Sequence, residues 1–455
     1  MMGKHAGHYL RRLSETYGPI FSIYVGRQLV VVLNDLHSVR DAFLKQGNLT
    51  SLRPTTYLLH LCFASNKGVY HGIMVTNGKL WREQRKFAQS KLREFGMGKV
   101  SIEKKIQEEA SACIAHLRDT DGKTFDPRTL LTASIVNVIA SVIFGKRYEL
   151  EDPAFVQLIS NVDVVALEMR PNSVLHFFDW LRHLPPMRQG VSRLKTALRI
   201  ISAEMRRNII IHKQRHQVAP LSTPADFIDA YLDRAAQDRD RGYADSTFTE
   251  FQLLKTLQDL LAAGSHTVIT TLRWGLLFML KYPRVMHKVQ AEIDDVIGRG
   301  RLPCMADEDK MPYTEATIAE VQRVGDVIPI TPHEVLHDME QGGYSIPAGT
   351  MLIANLTAIL NDPKYFPEPE KFSPERHLDE NGHFVRHEAS IPYCIGTRVC
   401  MGESLARMEL FVFFTSILQN FAIELPDGVT EPCIDGDFGF VHMAKPYELR
   451  CVARD

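Results

Sequence analysis

Apolar and polar positions fall into periodic blocks over most of this 455-residue chain, and the periods name the elements. Arg11 to Tyr17 has helical spacing up to the break at Gly18-Pro19. Ile20-Phe21-Ser22-Ile23-Tyr24-Val25 and Leu29-Val30-Val31-Val32-Leu33, split by Gly26-Arg27-Gln28, predict a β-hairpin. A helix follows from Leu36 to Leu44. Asn48 to Thr76 shows little periodicity, and so long a stretch without regular structure inside a compact domain is usually functional or mobile, which marks it as a candidate substrate-binding lid. Helical spacing then dominates: one helix begins at Trp81, and others cover Ile102 to Arg118, Pro127 to Phe144, Pro153 to Met169 and Val191 to His216. Between the last two, the apolar connection Phe177-Phe178-Asp179-Trp180-Leu181 suits a membrane surface or the core equally. Pro224 to Asp229 starts another helix, and the charged run Asp233 to Arg241 reads as a solvated linker.

The longest periodic stretch opens at Thr249-Glu250-Phe251-Gln252, which resembles a capping box, and continues to Leu280 before Pro283. At about 1.5 Å per residue such a helix is roughly 46 Å long and must cross a large domain. Lys255, Asp259, His266 and Arg273 argue against a membrane span. Helices over Arg284 to Ile297 and Tyr313 to Arg323 come next. Short strands around Gly342-Gly343 and Pro347-Ala348-Gly349 predict one small sheet from Val335 to Asn355, and Phe438-Gly439-Phe440-Val441 a last tight strand turn. The fold class expected is mainly α with a small β region, in one domain over residues 1–455.

Composition narrows the partners. Lys plus Arg is 53 against 54 Asp plus Glu, so no global field favours nucleic acid. Seven scattered cysteines make neither a disulfide framework nor a zinc spacing, which places the chain on the reducing side of a membrane. The first residues lack the apolar core of a signal peptide, and Leu130 to Phe144, interrupted by Thr132, Ser134, Asn137 and Ser141, reads as a core helix.

Four places carry candidate chemistry. Ile391 to Glu403 sets Cys400 in a loop flanked by Gly396 and Gly402, whose freedom at positive φ and close approach lets backbone N–H groups face the sulfur, with a helix N-terminus just behind. An isolated cysteine is more often a small buried hydrophobe, so the flanking pattern has to overturn that. Trp81 and Arg85 share a helix face. Ala262-Ala263-Gly264-Ser265-His266-Thr267 puts a glycine, about 1 kcal/mol worse than alanine, inside the long helix, as if something flat or bulky packs there. Glu320 and Arg323 can pair at i, i+3, with Arg376 available from Pro374-Glu375-Arg376, and a buried carboxylate between two arginines would hold remote segments in register.

Taken in order, Trp-x-x-x-Arg, Ala-Gly-x-x-Thr, Glu-x-x-Arg, Pro-Glu-Arg and Gly-x-Arg-x-Cys-x-Gly cover nearly the whole chain, and together they resemble a cytochrome P450. Arg93 to Gly98, Pro224 to Tyr231 and Met401-Gly402-Glu403 are similar to the microsomal animal enzymes of family 2; Tyr313 to Arg323 and Ile391 to Leu410 are similar to its U subfamily. The resemblance implies haem b (iron protoporphyrin IX) with Cys400 as the proximal thiolate ligand, favouring O–O cleavage. By the same resemblance Trp81, Arg85, His333 and Arg398 hold the haem propionates, and Glu320, Arg323 and Arg376 form a structural ion-pair triad. Thr267 matches the threonine that hydrogen-bonds dioxygen and organises proton delivery, a task for which a hydroxyl can both donate and accept. His266 stands where the family usually has Asp or Glu, and an imidazole could itself shuttle protons. Tyr393 replaces the usual Phe, and Cys394 in the same loop is the rival ligand.

The expected activity is a haem-thiolate monooxygenase acting on a lipophilic fatty acid, steroid or xenobiotic, with electrons from NADPH through cytochrome P450 reductase and cytochrome b5 as a further partner. Arg82, Arg85, Lys86, Lys91 and Arg93 form the basic cluster that would receive an acidic partner. The family's N-terminal membrane anchor is absent from this chain, and the expected location is the cytosolic face of the endoplasmic reticulum membrane. Two other readings are a reductase-independent isomerase or lyase of oxygenated lipids, suggested by His266, and a non-catalytic haem-binding relative.

Overall fold

The computed structural model describes residues 6–169, 173–218, 223–438 and 441–454, with strands towards the two ends of the sequence and helices between. The chain opens with α1 (Ala6–Tyr17), β1 (Ile20–Val25), β2 (Gln28–Leu33), α2 (Leu36–Arg40) and α3 (Tyr57–Phe63). Next come α4 (Gly78–Glu94), α5 (Val100–Asp119), α6 (Arg128–Ile143), α7 (Pro153–Glu168), α8 (Pro185–Val218) and α9 (Phe227–Asp240). Then α10 (Glu250–Lys281), α11 (Pro283–Val296) and α12 (Pro312–Gly325) lead to β3 (Ile330–Glu334), β4 (Met339–Gln341), β5 (Tyr344–Ile346) and β6 (Met351–Asn355). The end of the chain holds α13 (Leu356–Leu360), α14 (Glu403–Asn420), β7 (Phe421–Glu424), β8 (Gly436–Phe438), β9 (His442–Ala444) and β10 (Arg450–Ala453). The mainly α class and the first hairpin are as the periodicity predicts.

Four expectations change. The small sheet is split: β6 leaves its neighbours to pair in parallel with β2 and antiparallel with β3, giving the order β1-β2-β6-β3, while β4 and β5 pair only with each other. Its five residues are all buried, which an isolated two-stranded ribbon could not achieve. The lid segment contains α3, whose N-cap Thr56 accepts from the Leu59 N–H and whose Leu58, Cys62 and Phe63 are buried; seven residues are too few for a helical period to stand out. The charged run from Asp233 is helix up to Asp240, because the other face of α9 buries Phe227, Ile228 and Tyr231 while Arg234 pairs with Asp238 at 3.0 Å. α8 begins at Pro185, where a proline's missing N–H costs a helix nothing. Gly439 and Phe440 lie outside the described residues.

α10 is the axis of the molecule. Thr249 caps it by accepting from the Gln252 N–H, but the Gln252 side chain turns away from the cap to Gly72, so only half of the capping box forms. Its middle lies against α6, where Gly264 leaves room for Ile139: a Cβ there would come within 3.2 Å of the Ile139 side chain. α6 is buried almost all round, as a core helix should be. Among the described residues no helix is long and apolar enough to cross a membrane.

Glu320 on α12 lies wholly out of solvent and accepts from Arg323 (2.8 Å), Arg376 (3.1 Å), the Ser373 N–H (2.9 Å) and the His377 ring (3.0 Å). Arg323 also reaches the Leu360 and Lys371 carbonyls, so one carboxylate ties α12 to α13 and to the segment leading into the cysteine loop. Burial pushes the Glu320 carboxyl up, but these donors outweigh it and bring it down to about 2.

Candidate functional site

A cavity of about 450 Å³ separates the middle of α10 from the loop before α14. Cys400 of that loop and Ala263, Gly264 and Thr267 of α10 all line it, so the cysteine and the threonine border a common space. Cys400 has solvent-accessible surface and is one of the residues lining the cavity.

The loop that presents the sulfur is built by close approach. Gly396 has φ of 89°, and a Cβ there would meet the Phe43 carbonyl oxygen at 2.3 Å. Cys394 also takes a positive φ, 59°, and the Cys400 N–H returns to the Tyr393 carbonyl at 3.2 Å. Gly402 does not need its freedom: its φ is −98°, and it serves as N-cap of α14. Burial raises the Cys400 thiol above the ordinary value, opposed by the N–H groups of Gly402 and Glu403 and by Arg85, whose guanidinium donates to the Val399 carbonyl at 2.5 Å. The N–H groups thus face the sulfur, while the net effect of the protein alone keeps it a thiol. Cys394 lines the same cavity, and burial raises its thiol too.

On α10, Thr267 donates to the Ala263 carbonyl at 2.9 Å, a bond within its own turn that a rotating hydroxyl can exchange for another acceptor. His266 does not line the cavity. Its ring is buried against α7, with Nε2 3.8 Å from Asp163 Oδ1, while Arg128 donates to the other oxygen, Oδ2, at 2.6 Å. Burial keeps its pKa below the ordinary imidazole value. Neighbouring residues of a helix point about 100° apart, so adjacency to Thr267 in sequence does not bring the imidazole to the cavity. Its observed contact is with α7, and proton delivery at Thr267 is not a role this geometry gives it.

Of the four expected propionate partners, Arg398 lines the cavity, while Trp81, Arg85 and His333 are not among its lining residues. Arg398 directs its guanidinium to the carbonyls of Ser51 (2.8 Å), Ile73 (3.4 Å) and Thr76 (2.7 Å) and to Asn77 Oδ1 (2.9 Å), lying 3.8 Å over the Trp81 ring. The Trp81 Nε1–H is buried without a hydrogen-bond partner among the described residues. His333 bonds the Thr50 carbonyl through Nδ1 at 2.6 Å and stacks on Phe43 at 4.0 Å, with Nε2 unpartnered among the described residues. Periodicity gave no reason to single out Arg53, yet it lines the cavity, bonds the Pro332 carbonyl at 2.6 Å and leaves its Nε unpartnered. Its signal was faint: one cation beside Pro54 in an apolar, aperiodic stretch.

The buried Arg398 and His333 and the partly buried Arg53 and Arg85 disfavour one another's charge. Burial, then Arg53 and Arg85, pull Arg398 down to about 8; burial, countered in part by Cys394 and reinforced by Arg85, pulls Arg53 down to about 10; burial and Arg53 hold His333 well below the ordinary imidazole range. A buried cationic cluster with orphaned N–H groups asks for a buried anion. The two propionates of haem b meet that demand, and a thiol in a largely apolar cavity suits the rest of the group.

From the expected lid segment Met74 and Val75 line the cavity, and Leu260 and Thr331 line it too. The basic cluster on α4 divides: Arg82, Lys86 and Arg93 are exposed, Lys91 pairs with Glu94 at 2.7 Å, and Arg85 turns inward to the cysteine loop.

The cytochrome P450 family model matches residues 2–451. The chain is 39% identical over 451 residues to cytochrome P450 2D6 of Homo sapiens (97% of this chain, 88% of that protein) and 38% identical over 452 residues to cytochrome P450 2D15 of Canis lupus familiaris (98% and 88%). It is 41% identical over 453 residues to cytochrome P450 2H2 of Gallus gallus (98% and 88%). With a family model matched over residues 2–451 and a cavity lined by both Cys400 and Thr267, the chain belongs to the cytochrome P450 family, monooxygenases that bind haem b through a cysteine thiolate.

Proposed function

We propose that Cys400 is the thiolate ligand of this monooxygenase and that Thr267 is its proton-handling residue, the carrying observation being that these two residues, from the cysteine loop and from α10, line one cavity. The haem, when bound, supplies the redox chemistry that splits dioxygen. The chain's own residues do the rest. Arg53, Arg398 and the Trp81 N–H hold the carboxylates; the Gly402 and Glu403 N–H groups and Arg85 favour the sulfur anion. Thr267 releases its Ala263 bond to offer its hydroxyl to the oxygen substrate. The apolar walls exclude water and orient a lipophilic substrate, of which a fatty acid, a steroid or a small xenobiotic all suit walls of this chemistry.

Residues 1–455 act as one haem domain, associated with the endoplasmic reticulum membrane on its cytosolic side. NADPH–cytochrome P450 reductase supplies the electrons, with cytochrome b5 able to use the same exposed Arg82, Lys86 and Arg93. Reconstitution with reductase tests this: NADPH-dependent oxygenated product is expected from a panel of fatty acids, steroids and xenobiotics, at a rate that falls with added salt. No product with reductase, but conversion of lipid hydroperoxides without it, would overturn the assignment.

A further inference from the structure

The segment 72–76 is held against α10 by side chains that the catalytic reading does not use. Gln252, Lys255 and Asp259 stand at i, i+3 and i+7 and so share one helix face. Gln252 bonds both the N–H (3.0 Å) and the carbonyl (2.9 Å) of Gly72. Asp259 accepts from the N–H groups of Ile73 (2.5 Å) and Met74 (3.0 Å), both through Oδ2, leaving Oδ1 without a partner among the described residues. Lys255 donates to the Cys62 carbonyl at 2.6 Å, tying in the end of α3. The fit is close: Gly72 has φ of 91°, and a Cβ there would lie 2.4 Å from Asp259 Oδ2. What is gripped matters, because Met74 and Val75 line the cavity and the carbonyls of Ile73 and Thr76 receive Arg398.

We propose that Asp259 is a positioning residue that sets how firmly the 72–76 wall is closed over the cavity, and through it both the grip on a lipophilic ligand and the placement of Arg398. This rests on the cavity being the substrate site, but the wall itself can be observed without turnover.

The sign of the pH response follows from burial. Burial pushes the Asp259 carboxyl up to about 6, against the two N–H groups and Lys255, which lower it. An opened wall would return it to the ordinary range near 4. The closed wall therefore binds the proton more tightly, and acidification through about 6 firms the closure. The other ionisable groups here are Lys255 on the same helix, Cys62 on α3, His71 on the segment, and Arg206 on α8, which acts on Lys255. Cys62 is pushed up to about 12 by burial, and burial lowers both His71 and Lys255. Because a single oxygen of Asp259 accepts both N–H groups, Asp259→Asn can keep both bonds with no charge, whereas Asp259→Leu loses both.

Hydrogen–deuterium exchange of the haem-loaded protein, corrected for intrinsic rates between about pH 5 and 8, reads the wall directly, and the shift of the haem absorption band on adding a lipophilic acid reads ligand grip. Asp259→Leu should speed exchange of segment 72–76 by at least ~10-fold and weaken ligand binding several-fold. Asp259→Asn should stay protected at all pH values, while the wild type gains protection as pH falls. If the Leu variant takes up no haem, the wild type and Asn comparison decides alone. Equal protection in all three proteins, protection of the wild type that weakens on acidification, or a pH response surviving in Asp259→Asn and so belonging to His71, would overturn the proposal. Loss of turnover with an unchanged exchange pattern would count against the catalytic reading instead.

Discussion

Glu320 shows what one residue decides. With its carboxyl near 2 in the fold and near 4.5 unfolded, its contribution to stability is complete above about 4.5 and is lost as pH falls through the interval down to 2. Replacing it with Gln leaves the buried Arg323 and the partly exposed Arg376 under-compensated, a cost of ~3–5 kcal/mol for breaking the buried Glu320–Arg323 pair. Urea denaturation of Glu320→Gln at neutral pH should show that loss, and the gap to wild type should narrow as both are acidified below about 4.5. At this scale the chain was partly readable. Cys400, Arg398, Glu320 and Thr267 stand in spacings that mark them, and the structure puts Cys400, Arg398 and Thr267 on the cavity wall and Glu320 within its cluster of donors. Arg53 was not readable, because it reaches the cavity only through a chain path with no period. His266 was marked by its neighbour in sequence, but helix geometry turns it to Asp163.

At the scale of elements, α10 was legible from Thr249 to its end because its caps and its apolar period agree. Its glycine was legible as a thin place, and the structure supplies the reason: Gly264 touches Ile139 of α6 on one side and lines the cavity. Gly264→Val would force a branched Cβ into a 3.2 Å contact, an overpacking cost of ~1–3 kcal/mol. The expected result is a lower thermal midpoint together with weaker haem retention; an unchanged midpoint and full haem content would contradict the packing described. Short elements were harder to read. α3 has too few residues to show a period, and β6 looked like part of a local ribbon because its partner β2 lies some three hundred residues earlier, a pairing that no local pattern carries.

For the whole molecule, remote segments meet at one cavity. Loop residues near Arg53 and Met74, the middle of α10, β3 and the cysteine loop each bring one wall, and the first and last of these are joined by Arg398 bonding Ser51 and Thr76. The family assignment follows from that convergence and from the match along the whole chain; the identity of the lipophilic substrate is set by wall shape, which periodicity does not encode. The claim on which everything else depends is that the iron is held by Cys400 and not by Cys394, its cavity neighbour. The absorption spectrum of the reduced protein under carbon monoxide measures this in wild type, Cys394→Ser and Cys400→Ser. Wild type and Cys394→Ser should both give the red-shifted Soret band of a thiolate-ligated haem, and Cys400→Ser should lose it. A red-shifted band that survives in Cys400→Ser, or vanishes in Cys394→Ser with haem still bound, would contradict the account.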